Sequence, residues 1–460
     1  MSGDTAITPL LDISNYRPLN SGKSRRVTVT PEQSAAVTLS AAGTVDTFIS
    51  IPASKFSMIN GQASYLEFDY TLTGTSTATA TGQYPINLGW SNGDPGSAIK
   101  VLELTCQGQS VHLLDNYGAF SNLMFDFQNG SRAKNIGSIL GNALQPNYDS
   151  GAGITNAAPA VFLCDLLAIK QPFAHTNQTT YRACIPLYDP VLGVLAESLV
   201  HASEGYRLRI SWAGFLASCI GATVTAASIN NIKLQLDYVD VMPEVLLNLA
   251  KEGGGVLKSH STGLQNYNVV GAAADTAFSY LVPARFSSVK FITNMWRRSA
   301  AATAVDNFWG SRIFPFLDQL SINVGGRQYP PTAISHRTQG GAPNSNATSD
   351  AGAEAFMEFT KILAQLHSPA VDCVFGAAQY TQTQGSGNSA TVGSFVSGLM
   401  FEEYSGVNRT VSGLDTQSSN MIVQANLTAQ VGAAYQMDSF VGYDMIIEVD
   451  FATGQVSFSK

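Results

Sequence analysis

The sequence predicts an all-β protein made of two consecutive units of about 200 residues each, the size of a β-sandwich or jelly roll. First, the composition is 45% hydrophobic but only 13% charged, and the apolar runs are short and broken by Gly, Asn, Pro and Ser. Second, many segments alternate apolar and polar residues. Third, residues 232–255 (IKLQLDYVDVMPEVLLNLAKEGGG) look like the end of a unit, although they lie in the middle of the chain.

The first unit contains clear examples of alternation. In SYLEFDYTLTG, Leu66, Phe68 and Tyr70 share one face, and Glu67 and Asp69 take the other. This is the pattern of an antiparallel strand with one buried face. The following segments, IKVLELTCQG and SVHLLDNYGAF, are separated by a Gly-containing break and predict a hairpin.

A helix is predicted near residue 190. Asp189 is suited to capping a helix, and Pro190 fits its first position, where the missing N–H is not needed. Val191, Leu195 and Leu199 then recur at helical spacing before YRLRISW resumes the alternation of a strand.

The mid-chain segment explains the domain organisation. An alternating strand runs into a helix that begins at Pro243 and ends at Gly253, after which strand patterns resume. A further helix is predicted over AEAFMEFTKILAQLHSP, and the chain closes on the strands of DMIIEVDFATGQVSFSK. The predicted domains are an arm at 1–27, a first unit at 28–242, a helix and linker at 243–262, and a second unit at 263–460.

Two short motifs resemble catalytic signatures but lack their context. GWSNG places Ser91 in a G-x-S-x-G pattern, yet the turn residues Asp94-Pro95-Gly96 follow it instead of a helix. GGGVLKS has Leu257 where a phosphate-binding loop needs glycine. Neither motif predicts a catalytic or phosphate site.

Two carboxylate pairs could support glycoside chemistry, because neighbours two apart on a strand can be about 5 Å apart. The pairs are Glu67 with Asp69, and Glu448 with Asp450. Some jelly-roll glycosidases carry a third carboxylate three residues later, but Leu72 and Thr453 occupy those positions here. We interpret both pairs as solvated outer strand faces, and an enzyme or lectin acting on polysaccharide is kept as an alternative.

Cysteine and histidine give no sign of a metal centre. The five cysteines lack a CxxC pair and are expected to be buried free thiols in a reducing compartment, and the six histidines are scattered. We therefore predict no catalytic residues, no cofactor and no metal.

Charge and targeting signals restrict the partners and the location. The formal charge of −8 excludes a global basic field for nucleic acid, although Lys23, Arg25 and Arg26 form a small basic cluster suited to an anionic surface. No signal peptide and no apolar run of about 18 residues is apparent. The expectation is a soluble protein made inside the cell.

Several segments, taken in order, resemble the double jelly-roll major capsid proteins of icosahedral double-stranded DNA viruses, in the adenovirus, Polinton-like and large algal virus lineage. They are SYLEFDYTLTG, IKVLELTCQGQSVHLLDNYGAFSNL, IPLYDPVLGVLAESLVHASEGYRLRISW, LQLDYVDVMPEVLLNLAKE, VPARFSSVKFITNMWRR, LDQLSINVGGRQYPPTAI and DMIIEVDFATGQVSFSK. The resemblance spans roughly residues 50–460.

This resemblance implies two consecutive eight-stranded jelly rolls with short helical insertions, and homotrimeric, pseudo-hexagonal capsomers that tile an icosahedral shell. The implied partners are further copies, penton and minor capsid proteins and, in some members, an internal membrane, without sequence-specific nucleic-acid binding. Loops 75–98 and 337–353 would face outward, and the arm with Lys23, Arg25 and Arg26 would contact the inner surface of the virion. A viral spike or adhesin is the other alternative. We also hypothesise that helix 243–252, through Leu246 and Leu247, fixes the two rolls side by side.

Overall fold

A computed structural model describes most of both units. The described residues are 23–74, 89–90, 94–128, 178–215, 219–220, 224–298, 312–335, 353–366, 392–393, 395–401, 413–427, 431 and 434–460. Ser91, most of the predicted outward loop 75–98 and nearly all of loop 337–353 lie outside these residues.

The first half forms two main antiparallel sheets and a small two-stranded one. One sheet has the order β1-β12-β4-β8, with β2 on β12 and β9 on β4; the second is β3-β10-β6-β7, and β5 pairs with β11. The strands are β1 (Lys23–Val29), β2 (Val37–Leu39), β3 (Val45–Ser50), β4 (Ser57–Gly74), β5 (Gly89–Trp90), β6 (Ile99–Cys106), β7 (Gln109–Leu114), β8 (Gln178–Pro186), β9 (Val200–His201), β10 (Tyr206–Trp212), β11 (Cys219–Ile220) and β12 (Val224–Asp240).

The second half repeats this arrangement. One sheet contains β13-β22-β15, with β20 and β16 both on β15, β19 on β16 and β23 on β22; the other is β14-β21-β17-β18. The strands are β13 (Val256–Gly271), β14 (Ala277–Val282), β15 (Val289–Arg298), β16 (Arg312–Ile313), β17 (Leu317–Val324), β18 (Arg327–Ser335), β19 (Val392–Gly393), β20 (Ser397–Met400), β21 (Met421–Leu427), β22 (Tyr435–Asp450) and β23 (Val456–Ser459).

Both halves have the same topology. When the eight principal strands of each half are numbered in chain order, one sheet reads 1-8-3-6 and the other 2-7-4-5 in both halves. The last strand therefore lies between the first and the third, which is the long-range closure of a jelly roll. The predicted fold class, a double jelly roll, is confirmed.

The core of the first roll follows the alternation seen in the sequence. Leu66, Phe68 and Tyr70 on β4 are fully buried. The ring of Phe68 meets that of Trp212 edge to face at 5.3 Å, and Trp212 Nε1 donates a 2.8 Å hydrogen bond to Thr47 Oγ1. The large indole can be buried here because its one polar group has a partner.

In the second roll a glycine makes room for an aromatic ring. Gly263 on β13 lies opposite Tyr443 on β22, and a Cβ at this glycine would be 2.4 Å from Tyr443 Cζ. The same ring stacks on Phe286 with the ring centroids 3.8 Å apart. Any side chain at Gly263 would therefore push the tyrosine out of this stack.

In the described part of the chain, three α-helices accompany the sheets: α1 (Tyr117–Gln128), α2 (Pro243–Glu252) and α3 (Ala353–Gln365). The predicted helices after Pro243 and over AEAFMEFTKILAQ are confirmed as α2 and α3. Helix α1 was not predicted, although its buried residues recur at helical spacing: Tyr117, Phe120, Leu123, Met124 and Phe127.

The helix predicted near residue 190 is wrong, because the segment consists of turns. Asp189 does act as a cap, and its Oδ1 accepts hydrogen bonds from Val191 N at 2.9 Å and Leu192 N at 2.8 Å. However, Val194 N donates to Leu187 O at 2.8 Å, so the chain folds back on itself. A Cβ at Gly193 would lie 2.0 Å from the same carbonyl oxygen, which shows how close this approach is.

Two strand positions differ from the predicted domain boundaries. Strand β1 begins at Lys23, inside the predicted arm, because residues 23–29 pair with β12. Strand β13 begins at Val256, inside the predicted linker, because it pairs with β22 from Val256 onward. The boundaries of the domains themselves stay a prediction.

The α2 hypothesis can now be tested with a matched pair of variants. Leu246 is 1% exposed and Leu247 is 41% exposed, so only Leu246 can contribute to the core. We expect Leu246→Asp to lower the free energy of unfolding by about 3–5 kcal/mol, because it buries an unpaired carboxylate. Leu247→Asp is the control and should change it by less than about 0.5 kcal/mol. Denaturant unfolding measures the change in both variants. Equal effects would contradict the conclusion that Leu246, and not Leu247, packs into the core.

Candidate functional site

The two rolls are joined by an extensive set of hydrogen bonds and ion pairs, and this contact between them is here called the seam. It joins β13, the edge strand of a second-roll sheet, to residues 195–199 and to β7 with the turn after it in the first roll. Ala196 and Ser261 form an antiparallel bridge, and Thr262 N donates to Leu195 O at 3.0 Å. The first roll thus covers an edge that the second roll leaves open.

Side chains of the first roll complete this cover. Ser198 Oγ accepts from His260 N at 2.8 Å and lies 2.9 Å from His260 O, to which it donates. Further along β13, Leu264 N donates to His112 Nε2 at 3.4 Å. Asn266 Nδ2 donates to Asp115 O at 3.3 Å. Backbone groups of residues 260–264 therefore have partners from the first roll, as buried edges require, and the Asn266 side chain adds a bond in the opposite direction, to the backbone of the first roll.

One of these side chains is itself held in place by a carboxylate. His112 and Asp189 are fully buried, and His112 Nδ1 lies 3.2 Å from Asp189 Oδ2. Because Nε2 accepts from the backbone of β13, Nδ1 carries the proton that is donated to Asp189. The carboxylate that caps residues 191 and 192 therefore also orients the imidazole that bonds to the second roll.

A cluster of charged side chains lies at one end of the seam. This charged cluster contains Glu197 from the first roll and His260, Lys290 and Asp444 from the second. His260 Nδ1 lies 2.8 Å from Glu197 Oε2, and His260 Nε2 lies 2.9 Å from Asp444 Oδ1. Lys290 Nζ lies 2.8 Å from Glu197 Oε1 and 3.6 Å from Asp444 Oδ1.

Two hydroxyl groups complete the charged cluster. Thr262 Oγ1 donates to Glu197 Oε1 at 2.5 Å, and Ser288 Oγ donates to Asp444 Oδ2 at 2.5 Å. The Lys290 and Asp444 side chains are only 4% and 5% exposed. Two acidic and two basic side chains in such a buried position remain charged only because their opposite charges compensate one another.

The environment shifts the pKa values of these groups in opposite directions. Burial lowers the pKa of His260, but the contacts with Asp444 and Glu197 outweigh burial and raise it from 6.5 to about 9. Burial raises the pKa of Glu197 and of Asp444, but His260 and Lys290 outweigh burial, and both pKa values lie below their ordinary range. At neutral pH the imidazole is therefore protonated between two carboxylates.

A second polar cluster, here called the Asp438 cluster, lies further along the seam. The fully buried Asp438 carboxylate lies 2.6 Å from Arg297 NH2, and it accepts hydrogen bonds from Asn116 Nδ2 at 3.0 Å and Gln436 Nε2 at 2.8 Å. Asn116 belongs to the first roll, so this cluster also joins the halves. Asp438 and Asp444 are six residues apart on β22, a separation of about 20 Å along the strand.

Apolar contacts accompany the polar ones. Phe120 on α1 packs on Phe440 of β22 with ring centroids 5.1 Å apart. Phe127 at the far end of α1 meets Phe359 of α3 at 4.7 Å. Helix α1 of the first roll therefore lies against the second roll, and the buried residues of both rolls form one continuous cluster.

The basic residues singled out from the sequence lie on β1, away from the seam. Arg25 Nε is 2.9 Å from Asp240 Oδ2, and its guanidinium lies 5.1 Å from the Tyr238 ring centre. Arg26 lies over the ring of Tyr65 at 5.5 Å, and Lys23 is exposed opposite Asp240. Their proposed contact with an inner surface stays a prediction.

The carboxylate pairs are held by bases or backbone groups. Arg182 lies 2.9 Å from Asp69 and 3.5 Å from Glu67, and its hydrogen bond keeps the pKa of Asp69 below the ordinary value. Glu448 lies 2.7 Å from Lys258. Asp450 accepts hydrogen bonds from the backbone N–H groups of residues 452 and 453, which lower its pKa. Neither lowered pKa suits a general acid, which needs a raised one.

Cys106 and Cys184 are free thiols, and burial raises the pKa of both, that of Cys106 to about 12. Within the described ranges, no three His, Cys, Asp or Glu side chains form a group that could hold a metal ion. Across those same ranges no helix is both long and apolar enough to span a membrane.

The chain is similar in structure to chains of viral capsids. A chain of the Sputnik virophage matches with a TM-score of 0.56 and 11% identity, over 96% of this chain and 89% of that one. The Faustovirus major capsid protein matches with 0.57 and 10%, over 94% and 91%. A chain of the PBCV-1 virus capsid matches with 0.53 and 10%, over 97% and 98%.

At such low identity these similarities show a shared fold. They extend over both rolls, which independently supports the double jelly-roll topology. No protein-family model and no curated protein sequence matches the chain.

A prediction follows for the Asp438 cluster. Asp438→Ala should lower the free energy of unfolding by about 3–5 kcal/mol, because it leaves the Arg297 guanidinium buried without its carboxylate. Glu448→Ala is the control on the same strand, since its partner Lys258 is 48% exposed. That variant should change stability by no more than about 1 kcal/mol. Denaturant unfolding measures both, and a near-neutral Asp438→Ala would show that the cluster does not hold the seam.

Proposed function

We propose that the protein is a major capsid protein that assembles without catalysis into homotrimeric, pseudo-hexagonal capsomers of an icosahedral viral shell. The observation that carries this proposal is the similarity of fold to virus capsid chains over 94–97% of the chain. The match includes both rolls and the order in which they follow one another, not one roll alone.

The geometry of the seam supports the proposal physically. A shell subunit has to present its surfaces at fixed relative positions in every copy. Here the two rolls share one buried core, and bonds from the first roll cover the edge strand β13. Two rolls fixed side by side form one block, and three such blocks around a threefold axis give six rolls with a nearly hexagonal outline.

The finer partners form part of the same proposal. We infer that further copies of the chain, penton proteins and minor capsid proteins surround each capsomer, with an internal membrane as a further candidate neighbour. Lys23, Arg25 and Arg26 are exposed on β1 and would contact the inner, anionic side of the virion. The protein would be made in the host cell as a soluble intracellular chain before it enters the virion, without a cofactor.

The alternative function, polysaccharide binding, depends on particular residues, the carboxylate pairs. It requires an available carboxylate pair, whereas Glu67 and Asp69 share the guanidinium of Arg182. The contacts of Arg182 therefore argue against this alternative. The other alternative, a viral spike or adhesin, makes no claim about particular residues.

Solution mass and shape test the proposed function. The purified chain should give a stable particle of three times 48.7 kDa by light scattering, seen as pseudo-hexagonal plates by negative-stain electron microscopy. A monomer that persists at high protein concentration would contradict the proposal. Binding and hydrolysis assays on polysaccharides, with Glu67→Gln and Glu448→Gln as variants, would then test the alternative.

A further inference from the structure

We propose that the charged cluster is an alkaline-sensitive latch: when His260 loses its proton, the seam loosens around residues 195–199 and 257–262, while the end at Asp438 stays closed. The latch is a property of the single chain. Its use, to make the building block responsive to pH, rests on the proposed capsid function.

The position of the imidazole is the first argument. Both ring nitrogens of His260 lie close to carboxylate oxygens: Nδ1 is 2.8 Å from Glu197 Oε2, as an ion-pair contact, and Nε2 is 2.9 Å from Asp444 Oδ1, with hydrogen-bond geometry. An imidazolium carries a proton on each nitrogen and suits both neighbours. A neutral imidazole carries only one proton, so one nitrogen lone pair would face a carboxylate. Loss of the Nδ1 contact weakens the seam directly, because Glu197 belongs to the first roll. Loss of the Nε2 contact weakens it indirectly, because Asp444 holds the ring in place within the second roll.

The charge balance of the cluster is the second argument. The groups that face His260 are Glu197 from the 195–199 segment, Lys290 from β15 and Asp444 from β22, with the hydroxyls of Thr262 and Ser288. With His260 protonated, two cations balance two carboxylates. After its proton is lost, only Lys290 remains, and a net negative charge is left in a buried place. Lys258 and Glu448 nearby compensate each other.

Among the described residues, Asp438 at the other end of the seam contacts a guanidinium and two side-chain amides, and no histidine. Asp438 is held by the Arg297 guanidinium and by the side-chain amides of Asn116 and Gln436. Arginine stays protonated in proteins, and amides do not titrate. Because this end also contains the packed rings of Phe120 and Phe440, it should stay closed when the charged cluster opens.

The direction of the pH dependence follows from the pKa values. The pKa of His260 is about 9 in the folded protein, against an ordinary value of 6.5. The contribution of the protonated His260 to the stability of the closed seam is therefore complete below pH 6.5 and is lost as the pH rises through 9. Over this range the equilibrium between closed and open seam can change by at most about 300-fold. The pKa values of Glu197 and Asp444 are lowered, so their contribution is present above the ordinary values and is lost as the pH falls further.

Hydrogen exchange of the full chain tests the latch. Amide protection factors, which are exchange rates corrected for the intrinsic rate at each pH, are measured at pH 7 and pH 9.5. We expect protection of residues 257–262 to fall at least tenfold at pH 9.5, while that of residues 266–270 changes by less than threefold. Equal protection at both pH values, or an equal loss at both ends of the seam, would overturn the proposal.

Variants connect the effect to His260. His260→Gln should lose the difference between the two pH values, because glutamine does not titrate. His201→Gln is the matched control, since His201 is also buried but contacts Ser203 and the carbonyl of Lys55 instead of carboxylates. It should keep the wild-type response. A pH response that survives in His260→Gln contradicts the latch.

A second variant covers the case in which His260→Gln does not fold. Glu197→Gln removes one of the two carboxylates that favour the imidazolium, so the loss of protection should begin at a lower pH than in the wild type. An unchanged midpoint would overturn the proposal. These measurements need only the purified chain, so a chain that fails to form trimers would contradict the proposed function and leave the test of the latch intact.

Discussion

The open edge of β13 is the constraint on which the rest of the structure depends. In each roll the first strand lies at the edge of its sheet, and an edge that is buried must find partners for its backbone groups. The first roll supplies these partners to residues 260–264 of β13 from residues 195–199 and His112. Since each bond fixes a distance and a direction, the two rolls can meet in only one relative position. The proposed function in a shell requires this property.

Polar and apolar contacts have different roles in the seam. Taking Glu197, Lys290, His260 and Asp444 out of water costs free energy that their mutual attraction only partly offsets, so the charged cluster is a weak source of net stability. Its geometry is demanding, however, and a shifted seam would leave charges buried without partners. The packing of Phe120 on Phe440 and of Phe127 on Phe359 supplies apolar stabilisation that is less selective about register. We therefore infer that the aromatic rings mainly stabilise the contact between the two rolls, and that the charged groups mainly fix their relative orientation.

The sequence was sufficient for the elements that local patterns define, and insufficient for the seam. Helix α2 follows from Pro243 and Gly253, and β4 follows from the alternation around Phe68. Helix α1 was missed because the segment SVHLLDNYGAF, which contains Tyr117, was interpreted as the second strand of a hairpin, although the helical spacing was visible. The prediction of a helix near residue 190 was wrong because Asp189 accepts hydrogen bonds from the backbone of a turn instead of a helix, and Gly193 allows the chain to turn back. Glu197 and Asp444 could not be paired from the sequence, since they belong to different rolls. A weak signal did exist: Lys290 and Asp444 are charged residues with an apolar or aromatic residue on each side, in the stretches VKF and YDM.

The central claim is that the seam makes two jelly rolls into one mechanical unit. Scanning calorimetry of the intact chain at neutral pH tests it most directly. Both rolls should unfold together in one transition whose van't Hoff enthalpy equals the calorimetric enthalpy, because neither roll can lose its structure without exposing the seam. Two separate transitions, each with the enthalpy of a single roll, would contradict the account and describe two independent domains joined by a linker.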